Sequence, residues 1–370
     1  MHCRSQIADR RSIPMVFSRF AFCNLRFALH FWNQPHRGVL VGLTVMLLVG
    51  CDGPPPAIKE RVSVVGHASE VVALAYSPDG RTLASRAADS IKVWDASDLK
   101  ERASLPSDRS DFGTLAISPD GRTLAATLVG RGVVAWDLAS HEEREVFRVK
   151  PASDTQSGSA EAFGWGLAYS PDGSMLAGPS EDRTSPASIL VWTLANREAT
   201  GLGPPSSPAT HLAFTPDNRS LIAKGMEGRI KVWDVESKAE RTSIATNTSY
   251  LTAISVSPDG KSVASSGPDR YLRLWSVASG VEVGKLKGHM KAILGIAFHP
   301  DGRHVVTGDS AGTIFLWDLK SRRAIAQFKG HQGKVWAVAF RPDGQEMATA
   351  GEDRHIRLWN VAGAIKTYGR

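Results

Sequence analysis

Seven times along this 370-residue chain a Pro-Asp-Gly or Pro-Asp-Asn tripeptide is followed by a tryptophan. The tripeptides start at Pro78, Pro119, Pro171, Pro216, Pro258, Pro300 and Pro342, at intervals of 41, 52, 45, 42, 42 and 42 residues. The tryptophans are Trp94, Trp136, Trp192, Trp233, Trp275, Trp317 and Trp359. Two signals that keep step through seven units exclude most folds, because each unit must be a copy of one supersecondary element.

The residue types say what that element is. Proline pre-sets φ for the second position of a tight turn, aspartate suits the third, and glycine accepts positive φ at the exit. Asn218 replaces glycine in unit four, and asparagine is the residue next most tolerant of the left-handed region. Before each turn lies an apolar run such as Val71–Ser77, and after it runs such as RTLAS and Ile91–Trp94. Nearly continuous apolar strands need cover on both faces. No unit can supply that for itself, whereas seven in a ring can. The expected fold is all-β: a seven-bladed β-propeller of four-stranded antiparallel blades.

These residues resemble the WD-repeat family. Trp-Asp stands at Trp94-Asp95, Trp136-Asp137, Trp233-Asp234 and Trp317-Asp318, and Gly-His at Gly66-His67, Gly288-His289 and Gly330-His331. In that family the outermost strand of the last blade often comes from the N-terminus. KERVSVVGH (Lys59–His67) matches AIAQFKGH (Ala324–His331), so residues 59–65 are expected to close blade seven. The C-terminal GAIKTYGR is a competitor for the same place.

The resemblance also disposes of an apparent catalytic triad. His331, Thr349 and Asp353, with Trp359, are implied to form a hydrogen-bond network inside one blade, giving each buried polar group a partner. Unit seven alone has all four at the family's spacing. Unit five has Asn247 in place of histidine, unit six has Ala311 in place of aspartate, and Asp89 of unit one is one residue out of register. No catalytic residue, metal site or cofactor is expected. HEERE at His141 lacks the second histidine of a zinc motif, and GVEVGKL at Gly280 is too short for a phosphate loop.

Function is then expected in the loops. The family's partner contacts cluster at the channel rim, eight residues before each turn proline, which implies Glu70, Asp111, Phe163, Tyr250 and Lys334, with Pro208 and Ala292 in the remaining units. Glu352 and Met226 align just before the turn acid. Unit three carries two insertions, Pro151–Gly166 and Pro179–Ser188, expected to form a lip over its blade or to be tolerated surface loops. The expected partner of this monomeric propeller is a protein or peptide. The rival reading is an enzyme or small-ligand sensor with a site at the channel mouth, where Glu70 and Glu352 lie on adjacent blades.

Ahead of the repeats, Val39–Val49 is an uncharged apolar run preceded by Arg37 and followed by Gly50 and Cys51. It is shorter than the ~20 residues of a spanning helix and has the form of a signal peptide. Leu48-Val49-Gly50-Cys51 resembles a bacterial lipobox, which implies lipidation of Cys51 and a membrane anchor facing the periplasm or exterior. At 50 residues the leader is long, and a start at Met15 or a cytoplasmic protein with a mis-assigned leader is the alternative. The division is thus a leader over 1–50, a lipidated cysteine and Pro-rich tether over 51–57, and the propeller over 58–370. Of the net charge of +7, the first fifty residues hold +5, leaving +2 for the other 320, so no nucleic-acid partner is expected. All three cysteines fall at or before residue 51, and the body needs no disulfide.

Overall fold

A computed structural model describes residues 58–368, apart from 109–112, 130, 148–165, 181–187, 204–208, 226–227, 247 and 249. The lipobox and Cys51 lie outside the described residues, as do Asp111, Phe163, Met226 and nearly all of both unit-three insertions.

Each unit folds into one antiparallel sheet of four strands. After β1 (Lys59–Val65), blade one is β2 (Val71–Tyr76), β3 (Thr82–Ala87), β4 (Ser90–Asp95) and β5 (Glu101–Pro106). Blade two is β6 (Leu115–Ile117), β7 (Thr123–Leu128), β8 (Gly132–Asp137) and β9 (Glu143–Phe147). Blade three is β10 (Ala168–Tyr169), β11 (Met175–Pro179), β12 (Ile189–Thr193) and β13 (Ala199–Leu202). Blade four is β14 (His211–Phe214), β15 (Ser220–Lys224), β16 (Arg229–Asp234) and β17 (Glu240–Ala245). Blade five is β18 (Ala253–Val256), β19 (Ser262–Ser266), β20 (Tyr271–Ser276) and β21 (Glu282–Lys287). Blade six is β22 (Ile293–Phe298), β23 (His304–Asp309), β24 (Thr313–Asp318) and β25 (Arg323–Lys329). Blade seven is β26 (Val335–Phe340), β27 (Glu346–Gly351) and β28 (His355–Asn360), completed by β1.

The turn between the first two strands of a blade is built as its residues dictate. In blade one Gly80 N–H donates to the Ser77 carbonyl at 2.8 Å, and Gly80 sits at φ 68°. Ser77 Oγ donates to Asp79 Oδ1 at 2.5 Å and accepts from Thr82 N–H at 2.9 Å, locking the turn from within. Asn218 takes the glycine's place at φ 60°.

Seven apolar clusters lie one at each blade interface, which is what closes the ring. Blades one and two share Ile91, Leu105, Leu124 and Trp136; blades five and six share Leu272, Leu286, Ile293 and Trp317. The closing interface joins Val71 and Trp94 of blade one to Ile356 and Leu358 of blade seven. Full burial of side chains of this size stabilises by roughly 1.5–3 kcal/mol each.

The N-terminal strand closes blade seven. β1 pairs antiparallel with β28, Val64 opposite Ile356 and Val65 opposite His355, with a bulge between Glu60 and Val62. Val62 and Val64 pack on the closing interface, and Arg61 Nε meets Glu346 Oε1 at 2.5 Å. The clasp covers the edge of β28 that would otherwise template intermolecular pairing. The C-terminal segment does not compete for that edge. It forms a short helix, α1 (Ala362–Tyr368), whose first N–H is capped by Asn360 Oδ1 at 3.2 Å and whose Ala364 joins the interface of blades six and seven. Among the described residues no helix is long and apolar enough to cross a membrane.

Candidate functional site

The blade-seven network is a connected chain. Trp359 Nε1–H donates to Thr349 Oγ1 at 2.8 Å, Thr349 Oγ1 lies 2.7 Å from His331 Nε2, and His331 Nδ1 lies 2.8 Å from Asp353 Oδ1. His331 and Thr349 are buried, 2% and 0% exposed. Burial pushes the Asp353 carboxyl up, but the His331 bond and charge and the backbone N–H groups of Gln332 and His355 outweigh it and hold it well below the carboxylate range. Burial lowers the His331 pKa, and Asp353 opposes that only in part.

The same network is completed in two blades where the spacing argued against it. In unit six Ala311 stands where aspartate is expected, yet His289 Nδ1 has a carboxylate: Asp309 Oδ2 at 2.9 Å. Asp309 ends β23, so its side chain turns back to the imidazole while its other oxygen accepts from Ala311 and Thr313 N–H, both at 2.9 Å. In unit one Asp89, one residue out of register, still lies 3.3 Å from His67 Nδ1, with Ser90 Oγ at 3.1 Å and Ser85 Oγ at 2.7 Å from the two ring nitrogens. A carboxylate on a turn needs only to reach the imidazole, and more than one position does.

Open space is found at the mouth of the central channel, on the face that carries the loops entering each blade. There a cavity of about 830 Å³ is lined from blades one, two, four, five, six and seven. Of the rim residues implied by the sequence, it brings together Glu70, Tyr250, Lys334 and Glu352. Glu70 and Glu352 are not a free carboxylate pair. Glu70 Oε2 accepts from Trp336 Nε1–H at 2.6 Å, and Glu352 Oε2 accepts from the backbone N–H of Lys334 at 2.9 Å. Lys334 Nζ lies 3.7 Å from Glu352 Oε1 and 5.1 Å from the centre of the Trp336 ring. Tyr250, 48% exposed, stands on the rim.

The cavity is also lined by residues that the sequence reading passed over: His211, Lys224 and Trp336 in the wall, and Arg354 at the rim. Lys224 is only 5% exposed; its Nζ donates to the Thr252 carbonyl of the next blade at 3.1 Å. Burial brings its ammonium down to about 8. His211, directly opposite Lys224 in the β14–β15 ladder, is held neutral, its pKa lowered to about 3 by burial and then by the Lys224 charge. A signal for Lys224 was present: it stands eight residues after its turn proline, where only unit one also places a cation, Arg86.

At the opposite end of blade six, His299, Asp301 and His304 offer ligand atoms within 4.8 Å of one another. Their polar atoms are largely spent on the turn itself: Asp301 Oδ1 accepts from Arg303 and His304 N–H at 2.8 and 3.0 Å, Asp301 Oδ2 faces His304 Nδ1 at 2.7 Å, and His299 Nε2 faces the Gly344 carbonyl at 3.0 Å. The cluster is the Ser-Pro-Asp-Gly turn of blades one, two, three and five with histidine for serine.

Four stretches of the chain match the WD domain, G-beta repeat family. They are residues 59–95, 239–276, 280–318 and 322–360. Each match begins with an outer strand and ends with the tryptophan strand of the following blade, so the first one starts on the clasp β1. The WD repeats and the ring of seven four-stranded sheets together support a WD-repeat β-propeller. No curated protein gives a significant match to the chain.

Proposed function

We propose that this chain is a non-catalytic protein-interaction scaffold that receives a protein or peptide at the mouth of its channel, tethered through lipid on Cys51 at the outer side of a bacterial cytoplasmic membrane. One observation carries the docking part: Glu70, Tyr250, Lys334 and Glu352, from three blades, converge on a single open cavity. WD-repeat propellers are commonly interaction scaffolds, which supports the same reading. A concave, partly apolar mouth with an exposed aromatic on its rim suits an inserted side chain flanked by backbone contacts. The acids at the mouth are bonded to Trp336 and Lys334, so they serve to position the wall rather than to act as an acid–base pair. The tether rests on the apolar run Val39–Val49 and the Gly50-Cys51 that follows it.

A photo-crosslinking residue in place of Tyr250, in the full chain expressed in bacteria, tests the docking. A discrete protein adduct that is lost with Lys334→Glu is the expected outcome; absence of any adduct overturns it. Labelling by radioactive palmitate that disappears in Cys51→Ser tests the anchor, and an unlabelled wild-type chain removes it.

A further inference from the structure

We propose that Lys224 anchors an acidic side chain, aspartate or glutamate, of the peptide that enters the channel mouth. This deepens the docking reading above and rests on it. The repeat supplies an internal control. Arg86 and Lys224 occupy the same repeat position, and each reaches a backbone carbonyl of the next blade, Thr127 for Arg86 and Thr252 for Lys224. Arg86 is neutralised: its Nη2 lies 2.9 Å from Asp108 Oδ1. Asp108 stands eleven residues before the turn proline of its following unit; the residue at that offset in the unit after Lys224 is Asn247, an amide. No described carboxylate lies within ion-pair distance of Lys224. A buried ammonium with no counter-charge among the described residues is held at a cost, and an incoming carboxylate would remove that cost where the local dielectric makes the attraction strong.

The surroundings favour a single carboxylate over other ligands. His211, the ladder neighbour of Lys224, lines the same cavity, and its buried Nδ1 has no hydrogen-bond partner among the described residues. Arg354, exposed at the rim, makes no side-chain bond to a described residue. The described acids of the mouth, Glu70 and Glu352, are already engaged, so among the described residues the free valence of the cavity is positive. A polyanion such as nucleic acid would instead meet Glu70 and Glu352 at the rim, and the body as a whole carries little excess positive charge. Burial that draws the Lys224 ammonium down to about 8 leaves it mostly protonated near neutral pH, as the pairing requires.

Selection of random heptapeptides displayed on phage against the immobilised full chain tests this. The expected result is enrichment of aspartate or glutamate at one position by at least fivefold over the input library. The enrichment is expected to be lost with Lys224→Met and kept with Lys224→Arg, both variants first shown by a cooperative thermal melt to be folded. Peptides selected without acidic enrichment, or the same enrichment by the Lys224→Met chain, overturn the proposal. A library with free C-termini provides a further arm: enrichment that depends on the terminal carboxylate, with no internal acid, also overturns it. Peptides that compete with the crosslink at position 250 but lack an acid leave the docking reading standing and remove only this one; failure of every selected peptide to compete removes the docking reading itself.

Discussion

Replacing Lys224 by methionine isolates the energetic consequence of an unneutralised ammonium in the channel wall. Burial takes the Lys224 pKa from 10.5 to about 8. At ~1.36 kcal/mol per pKa unit, the protonated side chain lowers folding stability by about 3 kcal/mol at pH 7. The folded value lies below the unfolded one, so the penalty is whole below about pH 8. It fades as pH rises toward 10.5, where the unfolded chain still binds the proton and the folded chain has released it. Methionine keeps an apolar stem of similar length and removes the charge. It also leaves the Thr252 carbonyl without this donor, which costs about 1–3 kcal/mol at every pH. The two effects nearly offset at pH 7, leaving the variant up to about 2 kcal/mol more stable. The pH dependence is the cleaner quantity, because the carbonyl's loss is constant and His211, whose pKa the Lys224 charge lowers, stays neutral throughout this pH range. Urea unfolding of wild type and Lys224→Met at pH 7, 8, 9 and 10 should show the variant's relative stability falling by about 2–3 kcal/mol, most of it above pH 8. Parallel stability curves for the two proteins would refute the claim that Lys224 is buried without a counter-charge.

His331→Ala should destabilise the fold by about 1–3 kcal/mol, since it strands Thr349 and Asp353 together; an unchanged melting curve would remove the network argument. The folded pKa values of His331 and Asp353 are both depressed, so the wild-type advantage is full at pH 7 and shrinks on acidification, first below the unfolded histidine value near 6.5 and then below the carboxylate range. Melting at pH 7 and pH 4.5 should therefore show a smaller gap between the two proteins at the lower pH. Gly351→Ala places a methyl group against the backbone carbonyl of Lys334, the residue before the neighbouring strand β26, and a backbone group has no side-chain freedom to turn aside. A loss of about 1–3 kcal/mol in urea unfolding is expected, and wild-type stability in that variant would show that blade seven yields where the geometry says it cannot.

The turns, the strand order within a blade and the number of blades were legible in the chain because each is decided over short range. Serine, proline, aspartate and glycine lock a turn among themselves, and an apolar run on either side can only pair across it. The clasp was legible for the same reason, as a strand whose sequence copies another outer strand. The blade-six network was not, since the acid that serves His289 comes from Asp309, a position with no counterpart in the family's spacing. The helical fate of residues 362–368 was decided by the clasp already filling the edge they might have used.

The rim was half legible. Repeat offsets named Glu70, Tyr250, Lys334 and Glu352, but not that Trp336 holds Glu70 across 266 residues of sequence, nor that Lys224 faces the same space with no described carboxylate paired to it. By itself, then, the sequence determined a local unit and how many times it recurs, because turn chemistry and strand pairing act between neighbours along the chain. Only the closed ring decided which side chains share the channel mouth and which charges go unanswered there, because both depend on the ends of distant blades being brought around one axis and removed from water together.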